Sequence, residues 1–73
     1  MRNALELAFP RPPRTAREAL VLALAAERRA EIYYRDAAAY SSDPLVRGFA
    51  ADLAAGEHRH VRLVERLLTR LAA

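Results

Sequence analysis

The sequence predicts an all-α protein, an antiparallel two-helix hairpin that pairs with a second copy into a four-helix bundle. Three observations carry this. Two long segments rich in Ala, Leu, Glu and Arg repeat apolar residues at i, i+3, i+4 and i+7. One short break, Ser41-Ser42-Asp43-Pro44, separates them, and so short a connection folds two helices back on each other. A chain of 73 residues buries only about 60% of the surface its unfolded form exposes, so one copy is marginal without disulfides, metal or a partner.

The chain opens on a proline-rich lead over residues 1–14, with room for a turn or two of helix between Asn3 and Phe9. Pro10-Arg11-Pro12-Pro13 then stops any helix, because proline lacks the amide donor and clashes with the preceding turn. The hairpin occupies 15–73. Thr15-Ala16-Arg17-Glu18 has the form of a capping box, in which the hydroxyl and the carboxylate each accept from an otherwise orphaned amide. The first helix is expected over about 16–40, made of good helix formers. After a turn at 41–43, Asp43 is a strong N-cap and Pro44 suits the first helical position. The second helix is expected over about 44–71. Gly48 and Gly56 lie within it at a cost of about 1 kcal/mol each, which close approach of a neighbouring helix would explain.

Composition removes whole classes of function. The absence of cysteine excludes disulfides, thiolate zinc sites and redox dithiols, and fits a cytoplasmic setting. The longest uncharged apolar run, Ala19 to Ala26, is far short of the ~20 residues a bilayer span needs, so no membrane partner is expected. Met1 to Phe9 is too short and too charged for the core of a signal peptide. All twelve basic residues are arginine and the net charge is +3; the preference for Arg over Lys fits a GC-rich coding bias. Arginines and acids alternate along both helices, which predicts a solvated face and no nucleic-acid partner.

The 3.6-residue period assigns the inward stripes. On the first helix these are Leu20, Ala23, Leu24, Glu27, Ala30, Glu31, Tyr34, Ala37 and Ala38. On the second they are Val46, Phe49, Ala50, Leu53, Glu57, His60, Val61, Val64, Leu67, Leu68 and Leu71. An ionised carboxylate in an apolar stripe is costly unless it is paired or binds a metal. Singly, a Glu there reads as an arginine partner and a His as a hydrogen-bonded core residue. Jointly they read otherwise: Glu57-His58-Arg59-His60 puts a carboxylate and an imidazole at i and i+3, with Cβ atoms roughly 5–6 Å apart, and Glu27 faces them from the other helix.

Three ligands are too few for a two-metal centre, which in bundle form takes a Glu from each of two helices and Glu-x-x-His from each of the other two. Two helices supply half. A twofold dimer doubles Glu27, Glu57 and His60 into four carboxylates and two imidazoles, a charge that matches two ferrous ions. Without metal the four carboxylates repel, so dimerisation and metal binding are expected to be linked. This donor set suits iron, with manganese or zinc as substitutes.

Glu27, Tyr34 seven residues later, the Asp43-Pro44 turn and Glu57-x-x-His60 together resemble the ferritin-like superfamily. They most resemble its half-length branch, of encapsulated-ferritin and rubrerythrin-like type, and the resemblance covers Glu27 to Leu68. It implies a ferritin-like four-helix bundle formed by a homodimer, often within a larger ring, with a ferroxidase centre at the dimer interface. Glu27 and His60 would be terminal ligands and Glu57 the bridging carboxylate, all three catalytic, with Tyr34 behind them. Fe(II) would be oxidised to Fe(III) for iron storage or detoxification, with mineral left to a surrounding encapsulin shell. The chain to Ala73 shows no third helix or cargo-targeting tail, which counts against encapsulation. Gly56 stands where relatives carry a second acid, and Ala26 and Arg29 stand where acids line the route of iron; slower or weaker loading would follow.

Glu31 reads equally as a third carboxylate of the site and as a solvent-edge partner of Arg28 or Arg35. Tyr34 reads equally as a hydrogen-bond donor to a metal-bound carboxylate and as a core aromatic. His58, rotated roughly 100° from Glu57, is expected on the surface. Two other readings stand beside the ferroxidase: a rubrerythrin-like protein that reduces peroxide, weakened by the missing cysteines of a rubredoxin-like module, and a metal-free helical interaction module whose acids meet arginines.

Overall fold

The computed structural model describes residues 11–72; the lead from Met1 to Pro10, where a short helix was expected, lies outside the described residues. Two helices are present, α1 over Ala16–Tyr40 and α2 over Pro44–Ala72, packed against each other as a hairpin. There are no strands among the described residues, and no helix there is long and apolar enough to cross a membrane.

Local chemistry explains both helix starts. At α1 the Glu18 amide donates to Thr15 Oγ1 at 3.0 Å, as a capping residue requires. The Glu18 carboxylate accepts from the Arg14 amide at 2.9 Å, one residue earlier than a reciprocal capping box would place it. At the turn, the extended Ser41 ends α1 with its amide on the Ala37 carbonyl at 3.1 Å. Asp43 then starts α2, its Oδ1 accepting from the Leu45 amide at 2.9 Å, and the Arg47 side chain closes the corner onto the Ser41 carbonyl at 3.1 Å.

Burial is concentrated on one line of contact. All nine residues of the expected α1 stripe are at least half-buried, and Glu31 is the most buried of them. On α2 only Ala50 and Val61 are buried. Val46, Phe49, His60 and Leu71, also expected inside, are exposed. The reason is geometric: the apolar arc of α2 is wider than one neighbouring helix covers. Neither helical glycine is needed for the approach of α1 to α2, since a Cβ would meet nothing at Gly48 and only Arg59 Nη2, at 3.7 Å, at Gly56.

Replacing Asp43 by Ala removes the α2 cap and should cost about 1 kcal/mol of unfolding free energy. The exposed Asp52→Ala should stay within about 0.5 kcal/mol of wild type. Urea denaturation followed by circular dichroism measures both.

Candidate metal centre

α1 and α2 bring Glu27, Glu57 and His60 together, each offering one ligand atom, all within 4.8 Å of one another. Glu27 comes from the middle of α1, and Glu57 and His60 from successive turns of α2. His60 Nδ1 lies 3.4 Å from Glu27 Oε2 and 3.6 Å from Glu57 Oε2, and neither distance is that of a good hydrogen bond. Glu57 Oε2 is buried with no hydrogen-bond partner. An acceptor-only oxygen stripped of water and left unpaired is destabilising, and a cation at the same point would satisfy it. The imidazole is over half exposed, Glu57 one-fifth, so the cluster opens on a flank of the hairpin.

Glu31 belongs elsewhere. Its Oε1 accepts from Arg35 Nη2 at 2.9 Å and lies 2.8 Å from His58 Nδ1, within hydrogen-bond distance. The partner is Arg35, and Arg28 instead pairs with Glu65 at 3.1 Å. His58 is exposed, as expected, yet it reaches across to α1 and lines a groove of about 380 Å³ with Glu31, Arg35, Ala54, Ala55 and Arg59. This cross-helix bond escaped the sequence reading. Its signal was the antiparallel register: one turn forward from Glu27 to Glu31 is a step back on α2 from His60 toward His58. Tyr34 packs edge-on against Tyr33, ring centroids 5.4 Å apart, and among the described residues its hydroxyl makes no hydrogen bond to Glu27 or Glu57.

The two flat sides of the hairpin therefore differ. At roughly 100° per residue, His58 and Glu65 lie on one side of the contact line of α2, with the arginine pairs. Leu53, His60, Val64, Leu67 and Leu71 lie on the other, with Glu57 between them and the line. Compared with known protein families, curated proteins and solved structures, the chain matches none.

Glu57→Leu should stabilise the metal-free protein by about 1 kcal/mol, because it removes an unsatisfied buried carboxylate. Glu31→Ala should destabilise it by about 1–2 kcal/mol by stripping the acceptor from His58 and Arg35. Metal affinity should follow the opposite order, lost in Glu57→Leu and kept in Glu31→Ala. Paired denaturation and metal titration check this.

Proposed function

We propose that two hairpins join through the flank carrying Glu27, Glu57 and His60, and that the paired half-sites form a ferritin-like di-iron centre that oxidises Fe(II). The carrying observation is Glu57 Oε2, buried and unpartnered at the meeting point of three ligand atoms. Carboxylate and imidazole donors without thiolate suit iron or manganese, and bound iron would supply one-electron redox chemistry at the site.

The apolar pattern supports the second copy. Val46, Phe49, Leu53, Glu57, His60, Val64, Leu67 and Leu71 follow steps of three or four residues, the spacing of a helix seam. Ala23, Glu27, Ala30, Tyr34 and Ala37 do the same on α1. These seams run beside the α1–α2 contact rather than within it, and both contain ligands. The small alanines of the α1 seam allow close approach, while Val46, Phe49 and Leu71 are 44%, 69% and 49% exposed in the lone hairpin and await cover.

In this reading Fe(II) is the substrate. Two ferrous ions each lose one electron, and dioxygen accepts both with two protons to leave as hydrogen peroxide. The residues of the chain bind and orient. Glu27 and His60 anchor from opposite helices, and Glu57 brings a second carboxylate between them. The four carboxylates of a pair balance the charge of two ferrous ions, and the covered apolar seam excludes water.

The metal-free reading requires arginines on these acids. Among the described residues the arginine pairs fall on Glu31 and Glu65 instead, and the one charge partner of Glu27 and Glu57 is His60, which favours metal. Peroxide as oxidant has no observation of its own.

Anaerobic Fe(II) titration should saturate at about one iron per chain and shift the protein from monomer to dimer in sedimentation. Admitting oxygen should give rapid Fe(III) absorbance, abolished in Glu57→Ala. Absence of iron binding, or a monomer with and without metal, would falsify the proposal.

A further inference from the structure

We infer that the outer face of the second half of α2 binds the phosphate backbone of duplex nucleic acid without reading its sequence. Arg59, Arg62, Arg66 and Arg70 recur at steps of three, four and four residues, which places them on one face. At 1.5 Å per residue the ridge they form is about 16 Å long. All four are exposed. Among the described residues the guanidinium–carboxylate pairs are Arg28–Glu65 and Arg35–Glu31, so none of the four is neutralised by an acid.

Interleaving of arginines with acids holds on α1, where Glu18, Arg29 and Asp36 share the outer face. It fails here. The two acids of this half of α2, Glu57 and Glu65, turn toward the metal cluster and toward Arg28. Like charges one turn apart destabilise their helix, and a coding bias toward Arg over Lys does not account for their alignment. A partner that supplies the counter-charge does.

The chemistry around the ridge narrows that partner. No Phe, Tyr or Trp occurs from Glu57 to Ala72, and His58 and His60 turn to Glu31 and to Glu27 and Glu57, so the face has no platform on which the bases of a single strand would stack. α2 contains no Asn or Gln to read adenine edges, and guanidiniums laid along the backbone contact phosphate. A bilayer surface would demand an apolar face free to insert; the apolar arc of α2 meets α1 on one part and, in the paired reading, a second hairpin on the rest. A row of guanidiniums, each able to grip phosphate oxygens through two N–H groups, matches a linear phosphodiester. Arg62, Arg66 and Arg70 lie on the side of α2 opposite its contact line, while Arg59 also edges the groove beside Glu31 and Arg35; only the exclusion of a membrane rests on the paired reading.

Fluorescence anisotropy of the full chain with a labelled 20-base-pair duplex across a salt series tests it. Four phosphate contacts give a slope of log K against log salt of about −3.6, or binding about 150-fold weaker at 200 mM than at 50 mM salt. Arg62→Gln with Arg66→Gln should reduce the slope to about −1.8 with helix content unchanged by circular dichroism. Arg17→Gln with Arg29→Gln, which removes the same charge from α1, should leave it alone. Equal slopes in the two double variants would overturn the inference. So would no binding at 50 mM salt, tighter binding of the single strand, or capture by phosphatidylserine vesicles while the duplex stays free.

Discussion

A pair of helices in contact shares one line of burial, and every other feature of this protein is arranged around that limit. A third layer of side chains has nowhere to go, so a helix with an apolar arc wider than one neighbour must leave part of it in water. α2 has such an arc. Ala50 and Val61 occupy the line, and Val46, Phe49 and Leu71 stand outside it. The hairpin is thus a complete secondary structure and an incomplete core, which is what a chain too short to bury a sizeable interior has to be.

The charged residues divide along the same line. On one side the carboxylates are satisfied: Glu31 by Arg35 and His58, Glu65 by Arg28. The exposed Arg28–Glu65 pair contributes little, about 0–1 kcal/mol, but it uses up the acid. On the other side Glu27 and Glu57 face a single imidazole at distances too long to satisfy them. With twelve arginines in 73 residues, partners were plentiful. Among the described residues none of them pairs with Glu27 or Glu57, so the deficiency is selective.

Much of this was legible in the residues, and the remainder was illegible for a definite reason. Thr15 and the Asp43-Pro44 pair announce helix starts because capping and the fixed φ of proline are local chemistry. Glu27, Glu57 and His60 stood out because a carboxylate interrupting an apolar stripe is visible from the period alone. The period could not say which part of the broad α2 arc meets α1, since that depends on how two helices roll against each other. His60 and Phe49 therefore read as buried when they are open. The bond of Glu31 to His58 was hidden likewise: a contact across the hairpin depends on register, and a one-helix projection carries none.

The roll of the helices also decides what the open flank exposes. Had Glu57 lain squarely on the contact line with Val61, its desolvation would be a problem for the single hairpin, to be met by an arginine from α1. It lies instead at the edge of the line, with one oxygen already buried and without a partner, beside an imidazole that is still exposed. Covering that flank with apolar surface alone would bury Glu27 and Glu57 further and raise the cost of their charge. Adding a cation alone would leave the seam residues wet. A partner that brings apolar cover together with positive charge would lower both terms, and in the proposed pair a second hairpin with metal between would do so because each half-site would supply the ligands the other lacks. Under that proposal assembly and metal loading would be one equilibrium, in which four carboxylates resist the first step until the second takes place.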